Sequence, residues 1–255
     1  MSLVAAFADI SPAQLSLVAC VALFASVLGG LAGYGTGALM LLVLVPLIGA
    51  EPVVPVIAIS AIFTNLGRIT AYRRYADLRR ASIVILASAV TTVLGAYGYT
   101  RLTNAGAAIV IGTMLIASVP LRRLARRRDV RLGDAGLGVG AVGYGIVVGG
   151  TSGSGVILLS LLMAAGLEGA AVIATDAAIS VATSLIKISV FGLAGVVTAQ
   201  VVAFALLIGA IALPGAFFAR TFVERMPLHI HIAILDAAVI AGGVVTISAA
   251  VRQPV

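Results

Sequence analysis

Residues 10–50 carry no charged side chain, and neither do residues 81–100, 102–121, 135–167 or 188–219. A helix needs about 20 mostly apolar residues to cross a hydrocarbon core about 30 Å thick. Several spans therefore fit into the 255 residues. Inside a bilayer the backbone has no water to bond, which leaves helices or closed barrels. A barrel would need ~10-residue segments of alternating polarity, and these apolar runs are continuous. Only 10% of the residues are charged, against about 25% in soluble domains. A water-soluble fold is excluded. A single-anchor protein is excluded too, because no polar segment is long enough for a separate domain. The expected fold is an all-α polytopic membrane protein.

The formal net charge is +7, and fifteen of the sixteen basic residues are arginines. Most lie in two short loops, Arg68, Arg73, Arg74, Arg79 and Arg80, then Arg122, Arg123, Arg126, Arg127, Arg128 and Arg131. Basic loops between apolar segments follow the positive-inside rule, so no nucleic-acid partner is needed to explain them. The bilayer is the expected partner, and contact with anionic lipid is compatible. Cys20 is the sole cysteine, which rules out an intrachain disulfide and a cysteine metal cluster. His229 and His231 lack nearby carboxylate or thiol ligands, so neither a metal nor a cofactor is expected. The N-terminus has no basic region followed by a cleavage-like motif, and no removable signal peptide is read there.

Apolar segments fall at roughly 13–30, 37–49, 53–72, 81–100 and 104–121, then 135–149, 156–166, 169–192, 197–219 and 230–250. The organisation reads as a first membrane repeat (1–121), a basic cytoplasmic linker (122–134) and a second repeat (135–255). Each set opens with a long helix, a glycine-rich break and a short helix, followed by three long helices. The breaks run from Gly29 to Gly37 and from Gly149 to Gly155. Thr64-Asn65-Leu66-Gly67-Arg68 matches Thr183-Ser184-Leu185-Ile186-Lys187. The offsets agree: Gly29 to Gly149 is 120 positions and Thr64 to Thr183 is 119. An internal duplication follows. The short segments give eight spans and parallel repeats if they are re-entrant, or ten spans and inverted repeats if they cross. Counting Arg and Lys on each side gives the same result for both schemes.

Non-helical backbone at membrane depth is tolerated where it is buried in protein or lines a water-filled cavity. Breaks at matching positions of two repeats point to a transporter's binding site. The short helices would present free N–H groups and a positive dipole end to an anion. The candidate substrate-binding residues are Gly33, Gly35, Thr36, Gly37, Thr151, Ser152, Gly153, Ser154 and Gly155. The alternative is that these glycines only let helices pack closely. A polar stripe follows each break: Ser60, Thr64, Asn65 and Arg68, then Asp176, Ser180, Thr183, Ser184 and Lys187. Asn65, Arg68, Thr183, Ser184 and Lys187 join the candidate site. Snorkelling to the interface is the other reading of Arg68 and Lys187. Asp176 is either a proton carrier or a structural cap for a broken helix, and Asp236 poses the same question.

Gly150-Thr151-Ser152-Gly153 also fits the G-x-S-G pattern of rhomboid intramembrane proteases, with His231 as a base. Against this, the chain has no Trp, where rhomboids carry a Trp-Arg motif, and the first break has Thr36 instead of Ser.

The ordered, repeated motifs resemble the sulfite exporter TauE/SafE family. Gly33-Tyr34-Gly35-Thr36-Gly37 leads through Leu41-Leu42-Val43 to Pro46, and Gly153-Ser154-Gly155 leads into Val156-Ile157-Leu158-Leu159. Ala174-Thr175-Asp176 with Thr183-Ser184 is similar to the family's next element. Leu94-Gly95-Ala96 and Leu213-Pro214-Gly215-Ala216 are similar to a later one. Neither break has the family's triple glycine, and Ile57 stands where Asp176 has its counterpart. The resemblance implies transport of small anions such as sulfite or organosulfonates.

The expectation is therefore a non-enzymatic secondary transporter, an exporter of small oxyanions in the bacterial cytoplasmic membrane. A passive anion channel is the alternative, and a homo-oligomer is compatible with the sequence. The densest basic run should be cytoplasmic. A periplasm-active reporter fused at Asp129 is expected to be silent, and strong activity would reverse the orientation.

Overall fold

The structure, a computed structural model, describes residues 5–8, 10–32, 36–127, 131–222, 240–244 and 246–248. Nine α-helices fill most of the described chain: α1 (Pro12–Ala32), α2 (Thr36–Ile48), α3 (Val53–Tyr72), α4 (Leu78–Tyr99), α5 (Asn104–Arg127), α6 (Asp134–Gly150), α7 (Gly155–Ala164), α8 (Ala170–Leu193) and α9 (Ala199–Phe222). Four segments are long and apolar enough to cross a membrane by length and composition, and five shorter helical stretches are apolar as well. The chain is an all-α, multi-pass membrane fold. Most of the last apolar segment, 230–250, lies outside the described residues, as do Gly33, Gly35, His229, His231 and Asp236.

Two boundaries differ from the sequence reading. α4 takes in Arg79 and Arg80, which were expected in a loop. Asp77 caps the helix by accepting the Arg80 N–H at 2.9 Å, and that bond holds its carboxyl below the usual carboxylate range. α5 likewise runs through Arg122, Arg123, Arg126 and Arg127, so the first part of the basic linker is helical. Nothing in a run of arginines breaks a helix, because arginine is a good helix former.

Hydrogen bonds at the helix ends set the directions. The Ala50 N–H donates to Asn104 Oδ1 (2.6 Å) and the Tyr99 hydroxyl to the Ala50 carbonyl (2.7 Å). The end of α2, the end of α4 and the start of α5 thus share one side. On the other side the Asp77 N–H donates to Thr175 Oγ1 (3.0 Å), Arg79 pairs with Asp134, and the Leu132 N–H donates to the Ala164 carbonyl (2.7 Å). The end of α3, the starts of α4, α6 and α8, and the end of α7 meet there, beside the arginines. α3 and α8 are therefore antiparallel. α1 and α2 double back from the arginine-poor side, and α6 and α7 from the arginine-rich side. The directions of the nine described helices alternate as the ten-segment scheme requires, and the antiparallel α3 and α8 do not fit eight spans in parallel repeats.

α4 and α6 run parallel in close contact. A Cβ on Gly149 would collide with the Thr92 carbonyl, one on Gly145 with Thr91 and Ser88, and one on Gly95 with the Ile146 carbonyl. For these glycines the close-packing reading holds. The main apolar core lies among α1, α2, α3, α5 and α9, around Leu41, Leu44, Ile111, Leu115, Phe204 and Ile208. A second core, around Val84, Leu137, Leu158, Leu162 and Ile179, joins α4, α6, α7 and α8.

Gly195 follows α8 on the side opposite the arginines. A periplasm-active reporter inserted at Gly195 should be active while one at Asp129 is silent. The eight-span arrangement requires both to be silent.

Candidate functional site

The two breaks bring four helix ends together. α1 and α6 arrive with their carbonyl ends, and α2 and α7 leave with their N–H ends. The breaks touch: a Cβ on Gly37 would lie 2.8 Å from Ser152 Oγ, and one on Gly153 would lie 3.9 Å from Ala38 Cβ. Between them is a cavity of about 120 Å³. Thr36 and Gly37 line it from α2, and Thr151, Ser152, Gly153, Ser154 and Gly155 from the second break. Asp176, Ser180, Thr183, Ser184 and Lys187 reach it from α8, Arg68 from α3 and Tyr144 from α6.

Both cations turn inward. Arg68 and Lys187 are only 6% and 5% exposed. Arg68 Nη2 donates to the Gly29 carbonyl in the last turns of α1 (2.9 Å), and Lys187 Nζ to the Thr151 carbonyl just past α6 (3.1 Å). Each long side chain stays inside the protein, which sets aside snorkelling. Each satisfies a carbonyl at the negative end of a broken helix, where a cation is stabilised. At the opposite poles, the first turns of α2 and α7 face the same cavity. Ser154 makes no side-chain cap on α7, and Thr151 Oγ1 donates to the Ser152 carbonyl (2.9 Å).

Asp176 lies in the second turn of α8, 2% exposed. Its Oδ2 is 3.7 Å from Arg68 Nη1, across the α3–α8 interface. Its other oxygen, Oδ1, is buried with no hydrogen-bond partner. Losing one member of a buried pair typically costs about 3–5 kcal/mol, because the other charge is left uncompensated.

Asn65 stands behind the site instead of on its wall. Its Oδ1 accepts from Arg68 Nη1 (3.3 Å) and its Nδ2 donates to the Ala61 carbonyl (2.8 Å). Ser60 and Thr64 bond to carbonyls of their own helix. The Thr183 hydroxyl, which does line the cavity, donates to the Ser180 carbonyl (3.2 Å). Tyr144 was missed by the sequence reading. Its signal was available: past Asp134, it is the one polar side chain in an otherwise aliphatic and glycine-rich α6.

Apolar helices enclosing a buried polar cavity, with two broken helices aimed into it, define a polytopic membrane transporter. The sulfite exporter TauE/SafE family profile matches residues 18–246, and the chain belongs to that family. The family consists of membrane transporters of sulfur anions such as sulfite and not of enzymes, so the protease reading falls. No curated protein and no solved structure gives a significant match.

Gly153 adopts φ +91°, where a Cβ is strained by roughly 1–2 kcal/mol. Gly153→Val is expected to abolish transport while the protein remains in the membrane at near-normal amount. Normal transport by that variant would place the site elsewhere.

Proposed function

We propose that the chain is a secondary transporter exporting small sulfur oxyanions, sulfite or organosulfonates, across the bacterial cytoplasmic membrane. One observation carries this reading: the N-terminal ends of α2 and α7 and the side chains of Arg68 and Lys187 converge on one buried cavity. The amides of the breaks and the Ser152 and Ser154 hydroxyls donate to the oxyanion, and the two cations balance its charge. In a low-dielectric site such charge-assisted contacts are stronger than in water. A water takes up about 30 Å³ of liquid, so the cavity suits an anion of a few heavy atoms. Export follows the family's description; Asp176 is the proton-binding carboxylate, and the inside-negative membrane potential drives net negative charge outward. The two halves act as inverted copies around the site, with Asn65 holding Arg68 and Ser184 offering a further donor on the wall.

Substrate binding should weaken roughly ten- to a hundredfold in Lys187→Gln, the scale of one charge-assisted hydrogen bond, about 1.5–3 kcal/mol. Arg68→Gln also strands Asp176, so Arg68→Lys is the informative partner. It keeps the charge, loses the fork geometry, and should bind more weakly with an unchanged elution profile. Wild-type sulfite affinity in both folded variants would leave the break backbones alone as the site. Uptake of sulfite against a gradient into sealed inverted vesicles should be observed. A passive channel would only equilibrate it.

A further inference from the structure

Among the described residues, the charges around the cavity do not cancel while Lys187 holds its proton. Arg68 and Lys187 bring two positive charges to its wall and Asp176 one negative. Among the described residues that line it, Asp176 is the sole acid. All three side chains are buried, so dissolved ions screen them little. In such surroundings an uncompensated charge is costly, and a ligand that restores neutrality is favoured over one that overshoots. We infer that the site is set for one negative charge, and that a doubly charged anion binds only together with a proton on Asp176. The inference rests on the oxyanion-transport reading above and adds the charge class of its substrate.

The geometry shows how each state balances. A monoanion meets the two cations while Asp176 Oδ2 keeps its place beside Arg68 at 3.7 Å. A dianion would bring the negative charges in the cavity to three against two cations. A proton taken from water onto Asp176 Oδ1, the buried oxygen with no hydrogen-bond partner, neutralises the carboxylate and frees Arg68's charge for the ligand. Among the described residues, the groups that face Asp176 are few. Arg68 comes from α3, and Tyr144 lines the wall from α6 as a phenol. Lys187 lies three turns further along α8. From the α4 side, the Asp77 N–H bonds the neighbouring Thr175, and the Asp77 carboxylate is held by Arg80 at 2.9 Å. No second acid competes for the proton among the described lining residues.

Methanesulfonate and sulfate share a tetrahedral sulfur and differ by one charge, which makes them a matched pair for calorimetric titration of the purified protein. Methanesulfonate sets the reference slope, since buried Lys187 must hold its proton to bind either anion. Sulfate affinity should rise more steeply than methanesulfonate affinity, by up to tenfold more per pH unit of acidification, with uptake of one further proton. That uptake is read by repeating the titration in buffers of different ionisation enthalpy. Asp176→Asn should bind sulfate at least tenfold more tightly than wild type at alkaline pH and lose the extra pH dependence over methanesulfonate. If the variant fails to fold, the wild-type pair still decides the matter. Equal pH dependence and equal proton uptake for the two tetrahedral probes would overturn the charge rule alone. Sulfite binding with both tetrahedral probes refused would replace it with selection by shape. Folded protein that binds none of the three would overturn the oxyanion site itself.

Discussion

A helix interrupted inside a bilayer leaves carbonyls at one end and amides at the other with no water to bond them. This constraint governs most of what is specific in the structure. The carbonyl ends are met by the chain itself: Arg68 reaches Gly29 and Lys187 reaches Thr151, each from a helix that follows its break. Both cations therefore stand where they stabilise the fold, at the negative poles of α1 and α6. The positive poles of α2 and α7 are turned to a shared cavity. In the proposed site, structural capping and anion recognition use opposite ends of the same interruptions.

The α3–α8 contact ties the two halves together. Arg68 belongs to the first half and Asp176 to the second, and their buried contact crosses the interface. Asn65 holds Arg68 from behind, so the guanidinium is positioned from its own helix as well as from across the site. In the proposed site, an anion beside Arg68 or a proton on Asp176 would act directly on the contact between the halves. Binding and the relation of the halves would then be linked through one ion pair, the kind of differential contact a transport cycle needs.

The glycines divide by physical role. Gly145 and Gly149 are small because the backbone of α4 passes where a Cβ would sit, and Gly95 meets the backbone of α6 in the same way. Gly153 faces only ordinary contacts but has a positive φ, so the chain there needs conformational freedom. Gly37 has neither a positive φ nor a backbone collision. A Cβ on it would press on Ser152 and Ile57, so it keeps the two breaks in contact. One glycine-rich composition serves packing, turning and close approach.

Much of this was legible in the sequence. Uncharged runs too long for a soluble core required membrane helices, and the breaks and polar stripes marked Thr151, Ser152, Asp176 and Lys187 before any coordinates. Those features are local, since hydropathy and helical spacing act within one segment. Charge counting could not choose between eight and ten segments, because both schemes place the same number of basic residues on each side. The helix directions came only from contacts distant in sequence, such as Asp77 with Thr175 and Leu132 with Ala164. The same holds for the roles of single residues. Sequence spacing put Asn65 and Ser184 at matching positions, yet Asn65 turns to Arg68 while Ser184 lines the cavity. Asp176 could not reach Lys187 along its own helix and found Arg68 across an interface that no periodicity describes. Which buried charge meets which is set by how whole helices pack, and that is decided only in the tertiary structure.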